Sequence, residues 1–285
     1  MPPSSNIAGV VVLYHPEEDV IAGIGSYLPY LGMLYVIDNS GISPDMEKRV
    51  AVLSSGIRYI RNKDNIGIAA ALNKGATLAL QDGFGWLLTM DQDSSFLPAE
   101  ASAYFATAFT TLRQDSRVAV IAPLHGPSPV PEPFTPVTSC ITSGSLVRLS
   151  TWKAVGGYDE KLFIDEVDHE FCYRVQLQQY QVMQVNTVRL DHRLGTQRRG
   201  GYLGLLGRRS RRIHSPQRVY FMVRNYFYVR KTYRRSFPLE FKTRDRDLAV
   251  ALKNNLFFSG HFWKTLKQAL RGFRDYKKDR FKEPT

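Results

Sequence analysis

The chain has 285 residues, 44% of them hydrophobic and 22% charged, which excludes wholesale disorder. A chain of this length can bury a full core without staples. Two cysteines, Cys140 and Cys172, exclude a disulfide scaffold and point to a reducing compartment. The formal net charge is +12, but residues 1–188 carry 12 Lys/Arg and 19 Asp/Glu, whereas residues 189–285 carry 26 and 7. Such asymmetry suggests an acidic catalytic part followed by a basic tail that faces phosphates. Residues 1–6 lack a basic leader, the apolar run 10–14 is too short for a signal peptide, and no apolar stretch is long enough to span a bilayer.

Strand-like and helix-like segments alternate over the first 125 residues. Strands are expected at 8–14, 33–38, 57–60, 86–90 and 118–122, and helices at 17–30, 44–54, 68–80 and 98–112. This order implies βαβ units and a mostly parallel sheet. Ligands on such sheets bind beyond the carboxyl ends of the strands. That rule singles out residues 14–16, 38–40, 62–67 and 91–95. Six prolines between Pro123 and Pro136 mark a loop. Residues 138–149 read as extended, 152–157 as a short helix closed by Gly156-Gly157, and 165–179 as a longer helix. The stretch 198–212 is rich in Gly and Arg and reads as mobile. Two basic, aromatic helices are expected at about 216–235 and 261–281.

Asp91-Gln92-Asp93 follows a strand directly. In extended backbone, residues i and i+2 face one side, so both carboxylates can converge on a hard divalent cation. A solvated acidic turn is the plainer alternative. A second cluster comprises Asp165, Glu166, Asp168 and Glu170. On a helix, 165 with 168 and 166 with 170 would share faces. Their mutual repulsion calls for a metal, an arginine or a hydroxyl to be deprotonated. An acidic first helical turn would account for Asp165 and Glu166 better than for the other two. His192 follows the extended run 187–190, and with Asp91 and Asp93 it would complete a mixed oxygen and nitrogen site for Mg²⁺ or Mn²⁺. Asn65 and Gly67 open the Ala-rich helix, either as a phosphate-binding N-terminus or as a plain Asn cap. Asp38, at a strand end, is placed to accept a hydrogen bond from a base or ribose.

In their order and spacing, these segments resemble family 2 inverting glycosyltransferases with the GT-A fold, and more narrowly the bacterial rhamnosyltransferases of polysaccharide assembly. The resemblance runs from about Gly9 to Phe237. It is carried by Val-Val-Leu-Tyr-His-Pro (11–16), Val-Ile-Asp-Asn-Ser-Gly (36–41), Asn-Ile-Gly-Ile-Ala-Ala-Ala-Leu-Asn-Lys-Gly (65–75) and Asp-Gln-Asp-Ser (91–94). It continues in Thr-Ser-Gly (142–144), Gly-Gly-Tyr-Asp-Glu (156–160), the acidic segment 163–174, His-Arg-Leu-Gly (192–195) and His-Ser-Pro-Gln-Arg (214–218). It implies an α/β fold with a Rossmann-like, mostly parallel central sheet flanked by helices. Residues 1–197 would form the catalytic domain, with a nucleotide-sugar part at about 1–125 and an acceptor part at about 138–197. Residues 198–285 would form a basic helical extension.

The roles implied by the resemblance follow position by position. Leu13, Tyr14, His15 and Asp38 would hold the nucleobase and ribose, and Asn65 and Gly67 would line the nucleotide side. Asp91, Asp93 and His192 would bind Mg²⁺ or Mn²⁺, and Asp168 would be the catalytic base. Gln92, Thr142, Ser143, Gly144 and Glu170 would lie near the sugar and the acceptor. Val167 replaces the usual Glu beside the base, and His15 stands where many relatives carry Asn. The implied reaction transfers a sugar, L-rhamnose from dTDP-rhamnose being favoured over another nucleotide sugar, to a glycan or polyprenyl-diphosphate-linked hydroxyl. Neither cysteine is needed as a nucleophile, and Cys172 reads as a packed small hydrophobe.

Two other classes compete. A nucleic-acid-binding protein would explain the basic tail, but no helix-turn-helix, zinc-finger or RNA-recognition signature occurs. A nucleotidyltransferase would also use paired carboxylates and a metal, but it has no use for the segments 163–174 and 192–195. The two C-terminal helices each carry an apolar stripe, with basic residues mostly on the other side. One stripe is Val219, Met222, Tyr226, Val229 and Tyr233, and the other is Trp263, Leu266, Leu270 and Phe273. The first is narrow and reads as packing on the catalytic domain or on a second subunit. The second suits the anionic inner face of a membrane, which implies a cytoplasmic, peripheral location. Self-association is left open.

Overall fold

The computed structural model describes residues 6–41, 44–125, 132–192 and 213–281. Two compact units are present: Met1–Phe163 with Val167–Arg193, and Ile164–Glu166 with Leu194–Thr285.

The first unit opens as three successive crossovers. These are β1 (Ile7–Leu13), α1 (Val20–Tyr27), β2 (Met33–Asp38), α2 (Pro44–Ala51), β3 (Ile57–Arg61), α3 (Gly67–Gln81) and β4 (Trp86–Asp91). Every residue of β1 is buried, as is usual for a parallel strand covered on both faces. The four strands lie parallel in the order β3-β2-β1-β4. The chain therefore reverses its winding between β1 and β4. A crevice opens beyond the carboxyl ends of two strands at such a point.

The same unit continues with β5 (Ser94–Phe96), α4 (Pro98–Gln114), β6 (Val118–Leu124), β7 (Phe134–Pro136), β8 (Ser145–Arg148), α5 (Leu149–Val155), α6 (Val167–Leu177) and β9 (Gln181–His192). The sheet extends past β4 as β8-β6-β9-β5, with β7 also on β9. β8 runs antiparallel to both β4 and β6, and β9 runs parallel to β6. The fold is thus α/β, with a parallel half followed by a mixed half.

In this unit, one expected helix starts later and one expected strand is longer than the sequence suggested, and β7 lies within the stretch read as a loop. The helix expected from residue 165 begins at Val167, because Asp165 and Glu166 adopt φ of 65° and 68°, outside the right-handed helical region. The extended run expected at 187–190 is the end of a much longer strand. Its buried residues Val182, Val185, Val188 and Leu190 do not keep a two-residue period, because the register of β9 on β6 slips between Pro123 and Leu124.

The second unit contains α7 (Pro216–Tyr233), α8 (Pro238–Phe258) and α9 (Phe262–Lys277). Ser215 caps α7, its Oγ accepting the Arg218 N–H at 3.2 Å, and Pro216 follows at the first helical position. The α7 stripe is buried at Val219, Tyr226, Val229 and Tyr233, within a unit where α7 packs on α9. α7 lies against α9, where Gly272 allows close approach: a Cβ there would sit 2.4 Å from the Tyr220 carbonyl oxygen. α8 is absent from the sequence expectation. None of residues 242–254 is buried, so no apolar stripe betrays the helix. The stretch expected to be mobile, 198–212, and residues 193–195 of the His192 segment lie outside the described residues. Among the described residues no helix is long and apolar enough to cross a membrane.

Candidate active site

At the switch point, one side chain bridges the carboxyl ends of β1 and β4. The Tyr14 N–H donates to Gln92 Oε1 at 2.7 Å, and Gln92 Nε2 donates back to the Tyr14 carbonyl at 3.2 Å. Gln92, expected near the sugar, therefore ties the ends of two strands 78 residues apart in sequence. Leu13 is fully buried, so its side chain belongs to the core and its carbonyl accepts the Asn39 N–H at 2.8 Å. Tyr14 is 51% exposed, and its ring meets that of His15 at 4.4 Å between centroids. The two rings stand at the strand end as a surface on which a base can stack.

Beside them, the end of β2 is a dense polar network. Asp38 is fully buried, with Oδ1 accepting the Ser40 N–H at 2.8 Å and Oδ2 the Tyr59 hydroxyl at 2.7 Å. Burial and the adjacent carboxylate hold the Tyr59 phenol well above its ordinary value, so it stays a donor. Ser40 Oγ accepts the His15 N–H at 2.7 Å. Asn62 donates to Asn39 Oδ1 at 2.8 Å and accepts from Lys74 Nζ at 2.6 Å. The sequence signals missed Tyr59 and Lys74, and gave Ser40 and Asn62 no role of their own. Ser40 and Asn62 fall within the stretches after β2 and β3 that the strand-end rule marked, and Lys74 lies about two turns into α3.

Asn65 behaves as a cap, its Oδ1 accepting the Gly67 N–H at 2.9 Å, while the Ile68 N–H donates to the Phe163 carbonyl at 2.6 Å. Two of the first N–H groups of α3 are thereby engaged within the protein. Gly67 needs its φ of 82° for this turn, and a Cβ there would lie 2.5 Å from the Phe163 ring.

The acidic pair sits at the end of β4 and in the turn to β5. The Asp91 N–H donates to Ser143 Oγ at 3.1 Å, and the Thr89 hydroxyl donates to the Thr142 carbonyl at 2.6 Å. The Gly144 N–H bonds the Thr89 carbonyl at 2.8 Å. The Thr-Ser-Gly segment is thus stitched alongside the acidic pair. Asp93 turns Oδ1 into buried surroundings. The antiparallel register pairs Ser94 with His192, which brings the backbone of His192 beside the residue that follows Asp93. Among the described residues, which leave out the His192 side chain, no group of three or more His, Cys, Asp or Glu gathers closely enough to hold a metal ion. Two carboxylates and an imidazole are nevertheless donor types that fit Mg²⁺ or Mn²⁺.

The second acidic cluster separates into paired and unpaired charge. Glu170 is 3% exposed and forms a bidentate bridge to Arg174, at 2.9 and 2.7 Å. Within the second unit, Asp165 binds Arg218 at 2.7 Å, and Glu166 binds Arg244 at 2.6 and 2.7 Å. Asp168 is half-buried, and Oδ1 accepts the His169 N–H at 2.8 Å. Among the described residues it is the one carboxylate of the four with no arginine bridge. The arginine alternative thus holds for three of them. An ionised carboxylate without a cationic partner is the form suited to accept a proton.

Residues 29–113, which include the acidic pair, match the family model for glycosyl transferase family 2. Over 248 residues the chain is 27% identical to the dTDP-rhamnosyl transferase RfbF of Shigella flexneri, covering 79% of each protein. The solved structure of GalNAc-T7 with UDP, GalNAc and Mn²⁺ shares the fold, with a TM-score of 0.56 and 13% identity over 66% of this chain and 43% of that one. S. aureus TarS aligns with a TM-score of 0.48 and 13% identity, over 65% and 36%. This chain therefore spans less than half the length of either solved structure. The matched segment, the curated relative and the shared fold identify the chain as a glycosyltransferase, similar to family 2 enzymes with the GT-A fold.

Proposed function

We propose that the chain is an inverting glycosyltransferase that moves L-rhamnose from dTDP-rhamnose to a hydroxyl of a glycan or polyprenyl-diphosphate-linked acceptor in cell-surface polysaccharide synthesis. The name of the Shigella flexneri relative supports the donor sugar. The observation that carries the chemistry is the pairing of Ser94 with His192, which joins two segments far apart in sequence at the end of β4.

In this reading the base stacks at Tyr14 and His15, on a floor that Asp38, Ser40 and Tyr59 hold rigid. Asn65 and Gly67 line the nucleotide side as a shaped turn. A divalent cation, Mg²⁺ or Mn²⁺, held by Asp91, Asp93 and His192 would supply positive charge against the departing diphosphate. The acceptor oxygen bonds the anomeric carbon as the bond from that carbon to the diphosphate oxygen breaks. Asp168 takes the hydroxyl proton, and the nucleoside diphosphate leaves with the bonding electrons. One displacement inverts the anomeric centre without a covalent enzyme intermediate. The Thr142–Gly144 segment and Gln92 border the sugar, while Glu170 holds α6 through Arg174. The same reading places the enzyme peripherally on the inner face of the cell membrane, near a lipid-linked acceptor, with the exposed Trp263 and Leu270 of α9 toward the lipid.

The test is a donor screen with Mn²⁺ present, reading released nucleoside diphosphate. Release from dTDP-rhamnose well above that from UDP-sugars supports the reading. Release of diphosphate from a nucleoside triphosphate, with no turnover of any sugar nucleotide, would replace it with nucleotidyl transfer.

A further inference from the structure

The chain leaves the first unit after Phe163 and re-enters it at Val167, so Ile164–Glu166 belongs to the second unit. This short excursion is unusual in its backbone. Asp165 and Glu166 are consecutive non-glycine residues in the left-handed region, with φ of 65° and 68°. Each costs on the order of 1 kcal/mol, so such a conformation persists only where its surroundings over-determine it.

The surroundings do so. Asn225, fully buried in α7, donates from Nδ2 to the Ile164 carbonyl at 2.7 Å and to the Asp165 carbonyl at 3.3 Å. Its amide is oriented by Arg224, whose Nε donates to Asn225 Oδ1 at 2.8 Å. Arg218 takes the Asp165 carboxylate. Arg244 takes both oxygens of Glu166, and the two side chains are 12% and 11% exposed. Three consecutive residues are therefore gripped by two carbonyl contacts and two ion pairs, all from α7 and α8. Two peptide bonds further on stands Asp168.

We propose that Arg218, Asn225 and Arg244 are positioning residues for the reaction: by holding Ile164–Glu166 in its strained form, they set where Asp168 stands when it takes the acceptor proton. This rests on Asp168 as the base. The acidic residues 165 and 166 are then anchors for the clamp, which accounts for two carboxylates that proton transfer does not use. A displacement of the base by about 1 Å costs on the order of a hundredfold in rate.

The test uses the full chain with dTDP-rhamnose and Mn²⁺, water as the acceptor, and rates per folded molecule from circular dichroism. Arg244→Ala and Glu166→Ala are each expected to lower kcat on the order of tenfold to a hundredfold, with the donor KM unchanged within about twofold. The double variant is expected to be no worse than either single, since both remove the same tether. Arg244→Lys, which keeps the charge but loses the fork, falls between. Asn225→Ala provides an independent entry to the same clamp and is expected to show the same split. Wild-type kcat in Arg244→Ala and Asn225→Ala, or kcat and affinity for donor falling together, overturns the clamp. Asp168→Asn is measured alongside: full activity there overturns the base, whatever the clamp variants do.

Discussion

Asp168 and Glu170 lie two residues apart, yet their surroundings assign them opposite work. Glu170 is buried and doubly bonded to Arg174, which also donates to the Val155 carbonyl at 2.6 Å. Removing one partner of a buried pair leaves the other charge uncompensated. Glu170→Gln is therefore expected to lower unfolding free energy by about 3 kcal/mol, the low end for such pairs because Arg174 keeps some exposure. Its turnover per folded molecule should stay near wild type. Asp168→Asn should do the reverse, leaving stability within about 0.5 kcal/mol and cutting turnover by a factor on the order of 10² to 10⁴. Denaturant titrations and initial rates on both variants decide the matter, and the opposite ranking moves the base to Glu170. The two thiols make a second case at this scale. Cys140 and Cys172 lie buried with their sulfurs 3.7 Å apart, and the neighbouring Cys140 together with burial holds the Cys172 thiol well above its ordinary range. The folded protein is expected to resist iodoacetamide at pH 8 over hours and to take up two equivalents once unfolded. Rapid labelling of either cysteine in the folded state would contradict their role as packing groups.

Close helix contact offers a prediction at the scale of elements. Gly272 is the point where α9 approaches α7, and a methyl group there would meet a backbone carbonyl with no flexible side chain to yield. Gly272→Ala gains helix propensity of up to about 1 kcal/mol. It is nonetheless expected to destabilise by about 1–3 kcal/mol, because the helices must part. A denaturation midpoint at or above wild type would show that the contact is loose. Elements also set how much could be seen in advance. In the parallel half of the sheet, β1, β2 and β4 were legible because strands buried on both faces read as continuous apolar runs, and their carboxyl ends named Tyr14, Asp38 and Asp91. β9 was largely hidden because its slipped register breaks the alternation that marks a half-buried strand. α8 was hidden because it buries Phe241 and Asn255 and no stripe between them. With α8 hidden, Arg244 and its bond to Glu166 could not be foreseen. The acidic cluster then looked like a helix start, although the left-handed backbone at Asp165 and Glu166 forbids one. Asp38 was legible as a strand-end carboxylate, but its commitment to Ser40 and Tyr59 depends on pairing between strands, which no local pattern carries.

Charge is distributed at the scale of the whole molecule. The last 97 residues hold 26 of the 38 basic side chains. Within the second unit, α9 buries Thr265, Gly272 and Asp275, while Trp263, Leu270 and Phe273 are 77%, 61% and 38% exposed. Lys264, Lys267, Arg274 and Lys277 stand exposed among them. Large apolar rings and basic heads on one exposed face match an anionic bilayer, where rings enter the headgroup level and long basic side chains reach the phosphates. Each Lys or Arg near such a surface contributes about 1 kcal/mol, so four suffice for salt-sensitive attachment. Deleting α9 would be a poor test, because α7 would lose the helix packed against it. Trp263→Ser with Leu270→Ser alters exposed positions only and should leave stability within about 0.5 kcal/mol each. Flotation with phosphatidylglycerol-containing vesicles is expected to carry the wild-type chain at about 0.05 M salt and to release most of it at about 0.5 M, where screening shortens the reach of each charge. The double variant should stay at the bottom of the gradient under both conditions. Equal flotation of wild type and variant would move the membrane contact off α9. Failure of the wild type to float on anionic vesicles at low salt would remove it altogether, and the exposed face would then have to be covered by something other than lipid.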